Sequence, residues 1–208
     1  MGALTVACAG GCRLFQPAPP APLGLFALET TFKTPAVRDA DPQPLVVAVP
    51  RARPGFDTAR IVYVSRNYEV RFFAKSQWVD TPARMLAPLL IQALGETRSL
   101  QPVLSGAGVA AKLRLETEVT ALQQEFTVAP SRVRFGLRAQ LVDVVQHRIV
   151  ATKDLEAFEQ CVSDDPYGGV VAANQAVHHL LEELAIWCEE SSAASGSAKG
   201  THGLSSKE

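Results

Sequence analysis

The chain has 208 residues, with 20 Lys and Arg against 21 Asp and Glu, a formal net charge of −1. That length suits one domain with tails or at most two small domains, and 47% apolar with 20% charged residues is enough for a core and too apolar for a disordered chain. A charge near zero argues against a nucleic-acid partner, which is held by neutralising many phosphates, and no apolar run reaches the roughly 18 residues of a spanning helix.

The segment Ala3-Leu4-Thr5-Val6-Ala7-Cys8-Ala9-Gly10-Gly11-Cys12 is apolar, ends in small residues and stops abruptly at Cys12. Small residues ahead of a cysteine suit a lipoprotein signal peptidase, whose site is narrow in front of the cysteine to be acylated. Residues 1–12 therefore read as a partial lipoprotein signal segment, short and without a Lys or Arg n-region, so that the chain is expected to begin within the signal. Cys12 is the candidate lipid-attachment residue; Cys8, after Thr5-Val6-Ala7, fits the small-residue rule less well. The alternative, a frayed N-terminus with two incidental cysteines, stays open. Gln16–Pro22 carries four prolines and favours extended polyproline II geometry. At about 3.1 Å per residue, residues 13–22 form a tether that holds a domain roughly 30 Å from an anchor.

The domain spans residues 23–190. Leu45–Val49 reads as a buried strand between prolines. Ile61–Val64 and the alternating Tyr68, Val70 and Phe72 read as a hairpin around Ser65-Arg66-Asn67. Asp80-Thr81-Pro82 opens a helix, with proline where its missing N–H costs nothing. Met85, Leu86, Leu89, Leu90, Ala93 and Leu94 give that helix one apolar face; Pro88 bends its first turns and Gly95 stops it. Leu113, Leu115 and Val119 alternate with Lys112, Arg114, Glu116 and Glu118. The phase then moves to Leu122, Phe126 and Val128, which predicts a bulge near Ala121. After a turn at Ala129-Pro130-Ser131, Val133, Phe135, Leu137, Ala139 and Leu141 face inward against Arg132, Arg134, Arg138 and Gln140. A strand over 149–158 completes a meander with one wet, charged face and one face covered by helices. A last helix follows Asp164–Gly169, with Val170, Ala173, Val177, Leu181, Leu184 and Cys188 as its buried stripe, and residues 191–208 are expected to be a disordered tail. The fold class is α+β: a single domain with a mixed, mostly antiparallel sheet and two main helices packed on one face.

Enzyme signatures are absent: there is no GxSxG, P-loop, HExxH or GxGxxG after a strand. No catalytic residue, cofactor or metal site is expected. The four cysteines, at 8, 12, 161 and 188, contain no CxxC, and His178 and His179, being adjacent on a helix, do not face one ion. Asp164 and Asp165 fit capping of the last helix. A Cys161–Cys188 disulfide is disfavoured, because a helix over 169–188 is about 30 Å long and carries Cys188 away. The aromatic group Tyr63, Tyr68, Phe72, Phe73 and Trp78 reads mainly as core filling, with Tyr63, Tyr68 and Trp78 as candidate partner-binding residues. Charge is asymmetric: nine basic and five acidic residues from Lys33 to Arg84 give +4, and one basic and nine acidic residues from Lys153 to Glu190 give −8. Two solvated faces of opposite sign, or an oriented docking surface, follow from that.

Gly55-Phe-Asp-Thr-Ala-Arg-Ile-Val-Tyr-Val64, Tyr68-Glu-Val70 and Trp78-Val-Asp-Thr-Pro-Ala-Arg-Met-Leu86 resemble the ABC-type transport auxiliary lipoprotein family, which includes the PqiC (YmbA) lipoproteins. Leu113-Arg-Leu-Glu-Thr-Glu118 and Gly168-Gly-Val-Val-Ala-Ala-Asn-Gln-Ala176 fit the same family, so the resemblance covers residues 23–190. It implies a TolB-N/LptE-like fold, a periplasmic domain anchored through lipid on Cys12, and partnership with an MCE-domain protein (MlaD- or PqiB-like) and an MlaE-like permease complex. It implies no enzyme activity, but an auxiliary role in moving phospholipid or other apolar cargo between inner and outer membranes, as adaptor or anchor. Homo-oligomerisation is compatible with it. Arg13 after the cysteine, in place of Asp, favours the outer membrane. The alternative is direct lipid carriage in a pocket between the sheet and the first helix.

Overall fold

The best alternating stretch of the sequence becomes the spine of the fold. In the computed structural model, which describes residues 22–33, 37 and 39–197, strand β7 (Leu113–Glu125) is the hub on which the rest of the sheet assembles. The expected signal segment with Cys12, the expected tether over 13–21 and residues 198–208 of the expected tail lie outside the described residues.

Along one edge of β7 three strands pair in parallel, one after another: β2 (Gln43–Val47), β3 (Arg51–Ala52) and β4 (Arg60–Arg66). On its other edge β7 pairs antiparallel with β8 (Arg132–Asp143), which pairs antiparallel with β9 (Arg148–Gln160), the expected meander. β4 pairs antiparallel with β5 (Glu69–Trp78), and β5 in parallel with β1 (Gly24–Phe26). β6 (Leu100–Leu104) pairs in parallel with β2. The antiparallel β7–β8 and β8–β9 ladders run nearly the length of their strands, whereas each parallel pairing is short. The ladder shifts register between Val119 and Ala121, where the sequence phase changes.

Helix α1 (Pro82–Leu94) and helix α2 (Pro166–Ser197) cover one face. Asp80 Oδ1 accepts the Thr81 N–H at 2.7 Å and Pro82 opens α1; the helix passes through Pro88, and Leu86, Leu90 and Leu94 are fully buried. Gly95 ends it with ordinary right-handed φ of −67°, so its role is not left-handed geometry, and the Thr97 hydroxyl satisfies the Leu94 carbonyl at 2.7 Å. α2 is about 48 Å long at 1.5 Å per residue. Its Val170, Ala173, Val177, Leu181, Leu184 and Cys188 join one core with Leu113, Leu115, Val119, Phe135, Leu137 and Leu141 of the sheet.

Several expectations need correction. The hairpin turns at Asn67-Tyr68, not at Ser65–Asn67, and Tyr68 leaves the strand with a left-handed φ of 68°. Val49 lies beyond β2 and is exposed. Val128 is exposed because the chain leaves the sheet at Glu125, and Gln124 takes the buried position instead. Residues 191–197 are helical, not disordered: Ser192 donates its hydroxyl to the Cys188 carbonyl at 2.7 Å and Ser195 to that of Ser192 at 2.8 Å, so both polar groups are satisfied inside the helix. β1, β3 and β6 have no clear signature in the sequence.

Candidate interaction face

The wet face of the sheet is built by the residues that alternate with the core. On β7 and β8 these are Arg114, Glu116, Glu118, Gln123, Glu125, Arg132, Arg134, Arg138 and Gln140, and strand geometry sends them away from the helices. Their charges are paired, mostly across strands and in one case, Arg114 with Glu116, along β7 itself. Arg138 donates to both carboxylate oxygens of Asp154 at 2.7 and 2.9 Å. Arg134 pairs with Glu156, Arg132 with Glu125 at 2.9 Å, and Arg114 with Glu116 at 2.6 Å. Arg51 and Arg53, beside β3, approach Glu116 at 3.9 Å and Glu118 at 3.7 Å. The Arg138 hydrogen bond, reinforced by its charge, holds the Asp154 carboxyl below its ordinary value of 3.8 against some loss of solvation. Every cation in this set is arginine, whose planar fork fits carboxylates and stacks on rings; Arg132 sits 4.4 Å over the ring of Phe158. Such open pairs contribute about 0–1 kcal/mol each to stability.

Two hollows interrupt the face. One, of about 330 Å³, lies beside the β4–β5 hairpin and is lined by Val64, Tyr68, Glu69, Gln123, Glu125 and Arg134. The other, of about 310 Å³, lies between Arg51, Glu116, Glu118 and Arg138. The three aromatic candidates fall in three different environments. Tyr68 stands fully exposed at the hairpin turn. Tyr63 is half-buried, its ring 4.6 Å from Phe73 and 5.9 Å from Phe126. Trp78 is 3% exposed and belongs to the core, so it offers nothing to a partner; its place at the end of β5 under the helices removes it from the face.

The remaining candidates serve the fold. Asp165 Oδ1 accepts the Gly168 N–H at 2.7 Å and caps α2, while Asp164 instead accepts the Ser131 N–H at 2.9 Å and pins the β7–β8 turn. The Ser131 hydroxyl and then its N–H hold the Asp164 carboxyl below its ordinary value, and the Gly168 N–H chiefly does the same for Asp165. His178 shares a 3.0 Å hydrogen bond with Thr30 and stacks on Phe32, and His179 meets Glu159 at 2.6 Å. Cys161 and Cys188 are free and buried, and burial pushes the Cys188 thiol up to about 12. Among the described residues no cluster of His, Cys, Asp or Glu is placed to hold a metal, and no helix is long and apolar enough to cross a membrane. The face offers recognition: fixed donors and acceptors at strand spacing, flanked by an exposed ring.

Comparison with known proteins decides the relationship. The family model described as ABC-type transport auxiliary lipoprotein component matches residues 26–185. The chain belongs to that family. Its fold is similar to that of protein XCC0632 from Xanthomonas campestris, at a TM-score of 0.74 and 20% identity over 83% of this chain and 98% of that one. It is also similar to the hypothetical protein CT253 from Chlamydia trachomatis, at 0.56 and 10% identity over 74% and 99%. At such identities these likenesses establish the shared α+β architecture alone. No curated protein matches the chain. Membership in the auxiliary lipoprotein family agrees with the resemblance read from residues 55–86. The arginine–carboxylate pairing is what sequence reading missed: alternation marks Arg132, Arg134 and Arg138 as outward, but only strand register assigns each its partner.

Proposed function

We propose that this member of the family is a non-enzymatic adaptor of an MCE-type ABC transport system. Lipid on Cys12 anchors it to the periplasmic side of the outer membrane, the tether of residues 13–22 sets its reach, and the wet face with the Tyr68 hairpin engages an MCE-domain protein. That protein works with an MlaE-like permease complex, and phospholipid or other apolar cargo passes between the membranes along the assembly. A single acyl group binds membranes only marginally, whereas the several chains of a mature lipoprotein anchor stably.

The observation that favours an adaptor over a carrier is how little room lies between sheet and helices among the described residues. The void under the sheet lined by Ile61, Trp78, Leu122, Val133 and Ala173 measures about 10 Å³, about the least that holds one water and far too little for an acyl chain. The α1 side chains facing the sheet, Leu86, Leu90 and Leu94, are fully buried, so the site expected for direct lipid carriage is filled by protein. In-cell crosslinking of the full-length protein from its native start, followed by membrane solubilisation and identification of partners, tests the reading. Recovery of an MCE-domain protein is the expected result. Intact, membrane-attached protein without such a partner would overturn the adaptor role, and protein found in the soluble fraction would overturn anchorage at Cys12.

A further inference from the structure

We propose that the β1 edge of the sheet is a membrane-apposed surface that rests on an anionic bilayer. Among the described residues β1 pairs only with β5, so no described strand covers its outer side. Leu25 is 58% exposed, Leu23 just before it 49%, and Val79, whose N–H bonds the Phe26 carbonyl, is also exposed. Strand register puts Leu25 opposite Gln77 and Gln77 opposite Arg60, forming one row across β1, β5 and β4. Ser76 and Trp78 are buried, so Lys75, Gln77 and Leu25 point away from the core. Lys75 is exposed and has no acidic partner among the described residues, and Arg60 is exposed with its guanidinium over the Phe72 ring. The nearby Asp80 is engaged by Arg84 at 3.7 Å and by the Thr81 N–H. The edge thus combines apolar side chains with cations that lack a fixed carboxylate, unlike the self-neutralised arginines of β7 and β8.

That combination fits a lipid surface: leucines sink to the boundary between headgroups and acyl chains while Lys and Arg reach phosphates. Two further observations commit the patch to a bilayer. Leu23 follows directly on the Pro-rich segment leading back to Cys12, eleven positions earlier in the chain, so this edge lies at the root of the tether, within its reach of roughly 30 Å from the membrane. Charge has the matching polarity, with Lys33–Arg84 at +4 and Lys153–Glu190 at −8. β9, which carries Asp154, Glu156 and Glu159, pairs with β8 on the side of β7 away from β4, β5 and β1. The inference rests on the anchored-adaptor reading only for the direction from which the membrane arrives.

The test needs neither lipidation nor a transport partner, so it fails separately from that reading. The full chain carrying Cys12→Ser is co-sedimented with vesicles of phosphatidylcholine alone or mixed with phosphatidylglycerol. Binding is expected only to the anionic vesicles and is expected to weaken with salt. Leu25→Asp and Lys75→Glu are each expected to lower the partition coefficient at least about fivefold, whereas Val162→Asp, at an exposed site after β9, leaves it unchanged. Lys75 is exposed, so its variant carries the test should Leu25→Asp unfold. Absence of binding to anionic vesicles overturns the proposal. So does equal binding by all variants, which would assign binding to the N-terminal apolar segment.

Discussion

Neighbouring residues on β8 live in opposite worlds. Phe135 is fully buried against the helices, while Arg134, one position earlier, reaches into solvent to pair with Glu156. The same split runs along β7, with Leu113, Leu115 and Val119 inward and Arg114, Glu116 and Glu118 outward. One face of a single sheet therefore holds the fold together, and the other contributes little to stability, which leaves it available for the recognition proposed above. The covered face is filled by leucines, and the open face keeps its charges neutral by pairing, which leaves it polar without a strong field of either sign.

Breaking the covered side has the largest effect. Phe135→Ala is expected to cost about 3–5 kcal/mol in denaturant unfolding, from lost transfer energy and the cavity it leaves. Next comes the closest approach of helix to sheet. Gly169 of α2 lies against Gln124 of β7, and a Cβ there would collide with the Gln124 carboxamide. Gly169→Ala is expected to cost no more than about 1 kcal/mol, because the end of the Gln124 side chain can give way and alanine favours a helix. Its cost combined with that of Gln124→Ala should fail to add, because the two residues are in contact.

At the entry to α2, Asp165→Ala removes the cap and is expected to lower stability near neutral pH by less than Phe135→Ala does, read in the same denaturant unfolding series. The sign of its pH dependence follows from the depressed carboxyl of Asp165, held down chiefly by the Gly168 N–H. The stabilisation is complete above the ordinary value of 3.8 and is lost as pH falls through the lower folded-state value. The gap between wild type and variant should accordingly be flat from pH 5 to 8 and close in acid, about the ordinary carboxyl range and below. The smallest effect belongs to the open face: Arg134→Ala is expected to change stability by no more than about 1 kcal/mol, measured in the same unfolding series as Phe135→Ala. A cost equal to that of Phe135→Ala would erase the division between the two faces.

Local periodicity made most of this division readable before the structure. The inward set on β8, the bulge after Val119 and the apolar stripe of α1 each follow from the order of neighbouring residues. What stayed hidden is non-local or depends on chemistry that composition conceals. The tandem docking of β2, β3 and β4 on β7 rests on parallel pairings of two or three residues each, too short to leave a pattern. Ser192 and Ser195 look like tail residues until their hydroxyls are seen bonded to helix carbonyls. The candidate site was readable only in part: Tyr68 and Trp78 are both large aromatics flanking the same strand, and only the packing of the helices leaves one exposed and buries the other. The exposed Leu25 of β1 and Leu23 just before it were missed because a three-residue strand after a Pro-rich segment looks like more linker.

The assignment of recognition to the open face is tested most directly by photo-crosslinking from two positions of the full-length, membrane-anchored protein. A photoreactive amino acid replaces Tyr68 at the hairpin turn beside the wet face, or Ile186, which is exposed on the helix layer covering the opposite side. An adduct with an MCE-domain protein from position 68 and none from position 186 is the predicted result. An adduct from position 186 alone, or none from either while the protein remains on the membrane, would contradict it.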